Sequence, residues 1–248
     1  MIGTSWKMNL LPSTAPAWLD VVRRETQGIT DRDLFVIPPF PAIFVAREVL
    51  GGSRIRWGAQ DVHEDDAGAH TGDVSAPMLV DLGCTIAEIG HSERRRDHCE
   101  DDRRIAAKVR AALRWGLTPL VCVGERTPGP SKAAAAFIVG QLDATFGSLT
   151  GADLARVVVA YEPVWAIGAG ARAAAPSHVT EVHLAIRRWL DDMGASATPV
   201  LYGGSVDQTN APDLLATPAV DGVFVGRSAL DPAAFVAIAT LPLPASEG

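Results

Sequence analysis

The stretch VVVAYEPVWAIGAG, residues 157–170, opens as an apolar run, Val157 to Tyr161, and then meets a carboxylate, Glu162, and a proline, Pro163. A continuous apolar run without alternation is the pattern of a strand buried on both faces. Strands of that kind belong to parallel sheets covered by helices. Pro163 ends the run because it has no N–H to offer a neighbouring strand. Gly168 and Gly170 then give the chain conformational freedom just past the strand. A buried strand that delivers a charge and then a supple segment implies that the charge has work at the strand's end.

Comparable runs recur along the whole chain: Ile2 to Trp6, Leu34 to Ile37, Ile55 to Ala59, Thr85 to Gly90, Leu120 to Val123, Val200 to Tyr202 and Val223 to Val225. Helical stretches separate them. Ile105 to Trp115 places Ile105, Val109, Ala112 and Leu113 on one side, and His178 to Met193 does the same with Val179, Val182, Ala185, Ile186 and Trp189. Pro176 and Ser177 read as a helix start and Gly194 as its stop. The alanine-rich segment Lys132 to Ala136 reads as helix former rather than linker. Eight strand–helix units in 248 residues predict a single α/β domain, residues 1–248, closed as a (β/α)₈ barrel. An open doubly wound sheet is the alternative, but no GxGxxG follows the first strand.

The net charge of −7 argues against a nucleic-acid binder, which would present a basic face. The segment MIGTSWKMN lacks a signal peptide's apolar stretch, and no uninterrupted apolar run suggests a membrane span. Cys84, Cys99 and Cys122 have no disulfide-framework or zinc-ligand spacing. These features predict a soluble cytoplasmic protein with reduced thiols. His63, His70 and His98 likewise show no ligand spacing, so no metal and no cofactor are expected.

In a barrel of this class the site lies at the strands' C-terminal ends. Lys7 follows the first strand and would hold a fixed positive charge over the opening, unless it is an ordinary surface lysine. His91 follows the fourth strand and precedes what reads as a short helix starting at Ser92. The helix N-terminus would keep its imidazole neutral, fit to donate a hydrogen bond to a carbonyl; the alternative is a histidine that caps a turn. Glu93 would pair with Lys7 or an arginine. Glu162 is a candidate base if burial raises its pKa; a buried ion pair with Lys7 or an arginine is the competing reading. The run Arg94 to Arg104 reads as a solvated helix face. YGGS, residues 202–205, and VGRSAL, residues 225–230, end the last two strands and would offer backbone N–H groups to a phosphate. A lysine, a neutral histidine, a carboxylate and a phosphate cradle suit proton abstraction beside a carbonyl, the chemistry of an aldose–ketose isomerase.

GTSWKMN (3–9), GAQDVHEDDAGAHTGDVS (58–75), GHSERR (90–95), YEPVWAIGAG (161–170), YGGSV (202–206) and DGVFVGR (221–227) together resemble the triosephosphate isomerase family, in order and over nearly the whole chain. The resemblance implies the TIM barrel, cofactor-free conversion of dihydroxyacetone phosphate and D-glyceraldehyde 3-phosphate, and a role in glycolysis and gluconeogenesis. It implies that Glu162 takes the proton, His91 polarises the oxygens and Lys7 supports the enediolate. Ser92 would position the resting Glu162, with Glu93 in support. Pro163 to Ala173 would be a lid whose Gly168 donates to phosphate, received by Tyr202 and Ser205. Ser5, Lys7, Gly168, Ser205, Gly226 and Arg227 would contact substrate or phosphate. It further implies a homodimer in which residues 61–76 enter the partner and bring Thr71 towards its active site.

The sequence departs from the family pattern at Ser5, where asparagine is usual, and at Arg227, where a second glycine is usual. Ala169 and Ala171-Arg172-Ala173 vary the lid, and His70 and Asp73 vary the dimer loop. Ser5 with Arg227 is similar to a branch of the family that isomerises four-carbon ketose phosphates such as erythrulose phosphate. The substrate is therefore read as triose phosphate, with the four-carbon ketose phosphate as the alternative. A catalytically silent phosphosugar-binding protein is the alternative of another class.

Overall fold

The computed structural model describes residues 1–242 apart from Ala169 and Arg172. Among these residues eight parallel strands close into a barrel in chain order. They are β1 (Ile2–Ser5), β2 (Leu34–Ile37), β3 (Arg56–Ala59), β4 (Ile86–Ile89), β5 (Thr118–Val123), β6 (Val158–Tyr161), β7 (Val200–Tyr202) and β8 (Gly222–Val225). Ring closure is made by β1, which pairs with β2 through Ile2↔Leu34 and with β8 through Ile2↔Val223. The helices around the ring are α1 (Ala15–Glu25), α2 (Ile43–Leu50), α3 (Ala76–Asp81), α4 (Ser92–Asp97), α5 (Asp102–Arg114), α6 (Ser131–Phe146), α7 (Gly151–Leu154), α8 (Pro176–Asp192), α9 (Ala211–Leu215) and α10 (Pro232–Ala239). None is long and apolar enough to cross a membrane.

The eight expected strands are all present, and their apolar continuity has the expected cause. Alternate residues feed two different cores. Phe35, Ile37, Ile86, Leu120, Val158, Leu201 and Phe224 fill the barrel, while Val36, Ile89, Val121, Val159, Val200 and Val223 pack outward against helices. Both faces are therefore apolar, at about 25 cal/mol for each Å² of apolar surface buried. The largest boundary difference is in β5, which begins at Thr118 rather than Leu120. Pro119 fits inside it because β6 joins β5 only from Leu120, so the missing N–H leaves the ladder to that neighbour intact. The expected helix starts and stops also hold: Pro176 opens α8, and Gly194 beyond its end has φ +72°.

The charged run Arg94 to Arg104 is not simply a solvated face. Lys108, on the inner side of α5, is fully buried and bonds Asp61 at 2.7 Å and Glu100 at 2.6 Å. Arg94 reaches the same two carboxylates at 2.7 and 2.8 Å. Two cations and two anions thus form an internal network that ties α5 to the segment after β3. An unpaired charge at this depth would cost several kcal/mol, so each member needs its partners. Charge counting along the chain does not separate such a network from a wet surface.

Candidate active site

β4 delivers His91 and the first turn of α4. Gly90 turns the chain with φ +73°, and His91 becomes the helix cap: its Nδ1 accepts the Glu93 N–H at 3.2 Å. The two readings of His91 converge here. Because Nδ1 is an acceptor, a neutral ring carries its proton on Nε2, where it can be donated. Burial, with the Lys7 charge adding to it, pushes the His91 pKa down to about 4 against the pull of Glu93. The ring is therefore neutral at pH 7.

β6 delivers Glu162, whose own N–H is anchored to the Val123 carbonyl at 2.8 Å. Its side chain is only 5% exposed, and Oε2 lies 3.3 Å from His91 Nε2 without a hydrogen-bond partner. The chain end of β7 makes room for it: a Cβ on Gly203 would sit 2.7 Å from Glu162 Cγ. The competing ion-pair reading of Glu162 is not what forms, because Lys7 Nζ goes to Glu93 Oε1 at 2.9 Å. Burial first, then the charge of Glu88, push the Glu162 pKa up to about 8, opposed by Lys7 and the Cys122 thiol. A carboxyl with that affinity for protons is matched to base chemistry near neutrality.

Lys7 completes the group from β1. Its backbone has φ +53°, a conformation uncommon outside glycine, and the Gln60 amide holds it by donating to the Lys7 carbonyl at 2.9 Å. Burial opposes its charge, yet Glu162 and Glu93 outweigh that and raise its pKa above the usual lysine value. A permanent ammonium, a neutral N–H donor and a proton acceptor thus converge from three separate strands.

They line one cavity of about 610 Å³ together with Ser5, Gly168, Ser205, Gly226 and Arg227. Gly168 has φ +115° and is exposed at the lip, where a side chain would strain the backbone. Arg227 is exposed just after β8, where it starts a short 3₁₀ turn to Leu230. The segment after Pro163 is fastened on both sides. Trp165 Nε1 donates to Glu125 at 2.6 Å, and the Ala174 N–H donates to the Tyr202 hydroxyl at 2.9 Å. The N–H and hydroxyl of Ser205 both donate to the Ala166 carbonyl, at 2.9 and 2.8 Å. A phosphate using Ser205 would have to exchange with that latch. Ser92 opens α4 and lines the adjoining groove, which Glu162 also borders, rather than the cavity itself. Thr71 is exposed on the loop after β3 and is not among the residues that line the cavity. Ala169 and Arg172 of the expected lid lie outside the described residues.

Two features escape a reading by strand ends. Glu88 lies inside β4, is fully buried, and borders the same cavity. Its Oε2 has no partner. Burial pushes its pKa up to about 7 despite the Ser5 hydroxyl and the Lys7 charge, which favour ionisation. A carboxylate within the buried run TIAEIG was the visible signal. The second is a correction for the histidines. Linear spacing suggested no ligand group, but the loop folds back so that one ligand atom each of His63, His70 and Asp73 lies within 4.8 Å of the others. His63 meets His70 and Asp73, seven and ten residues further on, through a loop return that spacing rules for helices do not register.

Fold and cavity together define an α/β-barrel enzyme equipped to move a proton beside a polarised oxygen. The family model described as triosephosphate isomerase matches residues 1–241. The triosephosphate isomerase of Roseiflexus sp. (strain RS-1) is 40% identical over 243 residues, 96% of this chain and 95% of that protein. An L-erythrulose-1-phosphate isomerase of Mesorhizobium japonicum (strain LMG 29417 / CECT 9101 / MAFF 303099) is 42% identical over 92% of this chain and 91% of its own length. The crystal structure of triosephosphate isomerase from Bartonella henselae superimposes with a TM-score of 0.83 at 33% identity, covering 96% of each chain. The chain belongs to the triosephosphate isomerase family and is an isomerase that interconverts aldose and ketose phosphates.

Proposed function

We propose that Glu162, His91 and Lys7 carry the reaction and that dihydroxyacetone phosphate and D-glyceraldehyde 3-phosphate are the substrate pair. The observation that carries this reading is the unpartnered Glu162 oxygen set 3.3 Å from the proton-bearing His91 nitrogen. A substrate whose carbonyl oxygen meets His91 Nε2 would present the neighbouring carbon to Glu162, which would take a proton from that carbon. The oxygens would receive hydrogen bonds from His91 Nε2 and the charge of Lys7, and the enediolate would be reprotonated on the next carbon. Gly168, Gly226 and Arg227 would hold the phosphate through backbone N–H groups, and the fastened lid would exclude water. Glu93 would steady Lys7 by their 2.9 Å contact. Replacing Glu162 by glutamine tests the assignment: solvent-deuterium incorporation into dihydroxyacetone phosphate should all but vanish while the melting transition stays cooperative. Undiminished exchange would refute it.

A second reading, a four-carbon ketose phosphate, is favoured by the small buried Ser5 in the cavity wall and by the Mesorhizobium relative named for L-erythrulose 1-phosphate. Comparing kcat/KM for the two substrates decides between them. We also propose a cytoplasmic homodimer of one-domain chains. Its support is the exposed tip of the loop at residues 67–73, with Thr71, and the exposed Met8 and Met78. Light scattering at micromolar concentration should give twice the chain mass of 26.1 kDa.

A further inference from the structure

The cavity holds more polar chemistry than a triose phosphate can use. Apart from its phosphate, dihydroxyacetone phosphate presents one carbonyl and one hydroxyl. Lys7, His91 and Glu162 already provide an ammonium, an N–H donor and a proton acceptor for these two oxygens. Glu88 and Ser5 are left over, both at most 5% exposed and both in the cavity wall. Glu88 Oε2 has no partner at all. The rest of the barrel interior is apolar, made by Phe35, Ile37, Leu120, Val158 and Leu201, and charged groups that share the cavity with the pair include Lys7, Glu93 and Glu162. A buried polar atom in such a place is costly unless something bonds to it. No other group of the described residues does so.

Position narrows what that something is. Glu88 is on β4, across the ring from β8, whose end carries the proposed phosphate cradle. It lines the same cavity as Glu162, close enough for its charge to raise the Glu162 pKa. A group held by Glu88 therefore sits beside the reacting carbon and away from the phosphate. In a ketotetrose phosphate the extra hydroxymethyl hangs from the carbon that loses its proton, on the side away from the phosphate. Its hydroxyl is both donor and acceptor, as is the Ser5 hydroxyl, and a carboxyl accepts when ionised and donates when protonated.

We propose that Glu88 and Ser5 form a hydroxyl-receiving subsite that admits the terminal hydroxymethyl of a ketotetrose phosphate and makes Glu88 a specificity-determining residue. This rests on the isomerase reading of the same pocket. The test measures kcat and KM for dihydroxyacetone phosphate and for L-erythrulose 1-phosphate in the unaltered protein, in Glu88→Leu and in Glu88→Gln. The unaltered protein turns over the tetrose. Glu88→Leu lowers kcat/KM for the tetrose by about 10- to 100-fold more than for the triose, the size of one lost charged hydrogen bond. Glu88→Gln, which keeps size and polarity, recovers part of that selectivity, a rescue that a merely structural role would not show. An equal fall on both substrates in Glu88→Leu overturns the subsite. So does an unaltered protein that isomerises the triose but neither turns over nor is inhibited by the tetrose, an outcome that leaves the isomerase reading standing. Inactivity of the unaltered protein on both substrates, by contrast, overturns that reading and the subsite with it.

Discussion

Two groups of buried charge lie in this barrel, and they are built on opposite plans. Beside α5, Lys108 and Arg94 meet Asp61 and Glu100 in four contacts of 2.6–2.8 Å, two positive charges against two negative. At the barrel mouth, Lys7 alone faces Glu88, Glu93 and Glu162, and one oxygen each of Glu88 and Glu162 is unpartnered. The first group is balanced in charge, each cation meeting both carboxylates, and Glu100 Oε2 is its one unpartnered oxygen. Its value is to hold one arrangement, and removal of a partner exposes the cost of what remains. The second is cation-poor and open. Burial pushes both Glu88 and Glu162 far above the ordinary carboxyl range, to about 7 and about 8. Such a cluster is unfavourable for folding and suited to binding and proton transfer, with substrate as the proposed source of its missing partners.

The contrast is sharpened most by removing one member of each group. Glu162→Gln should lower turnover by about 10²- to 10⁴-fold, the range of a lost general base, with no loss of stability in denaturant. Lys108→Met should do the reverse: a loss of about 3–5 kcal/mol in urea unfolding, with activity kept by the molecules that remain folded. If Lys108→Met were neutral for stability, the balanced network would not be structural in the sense argued.

Acidity gives a third test. Glu88 binds its proton more tightly in the folded chain, about 7 against an ordinary 4.5. Its contribution to stability is therefore full below about pH 4.5 and is lost as pH rises through about 7. Glu162 acts in the same direction up to about pH 8. Charges facing Glu88 are Lys7, which limits the effect, and Glu93 and Asp61, which add to it. Unfolding free energy should fall by on the order of 2–3 kcal/mol between pH 5 and pH 8 from Glu88 alone, and Glu88→Leu should flatten that slope. A slope unchanged in the variant would show that Glu88 titrates normally. The smallest effect is on catalysis: because the Glu88 charge raises the Glu162 pKa, Glu88→Gln should move the acid limb of the triose kcat/KM profile to lower pH.

The same contrast explains what could be seen in the sequence. Strands such as Val158–Tyr161 were legible because residues facing both cores are apolar, and Lys7, His91 and Glu162 because each breaks that pattern at a strand's end. Glu88 and Lys108 break it in the interior, where the surrounding residues still spell strand or helix. A polar side chain inside an apolar pattern registers as tolerance until its neighbours in space are known. Lys108 turns out to have Asp61, 47 residues away, and Glu88 has an empty hydrogen-bonding position beside Ser5. His63 and His70 needed the loop's return path, which no periodicity describes.

The pairing of β1 with both β2 and β8 has a consequence for how the chain can be watched as it folds. Lys7 comes from the first strand, while the cavity wall next to it comes from the last. Partial barrels could bury tryptophan and show helical circular dichroism, yet they would hold the lysine in no fixed relation to Gly226 and Arg227. Contacts between chain ends more than 200 residues apart are the slowest kind to form. Recovery of catalysis during refolding would thus time one event, the zipping of the first strand against the last.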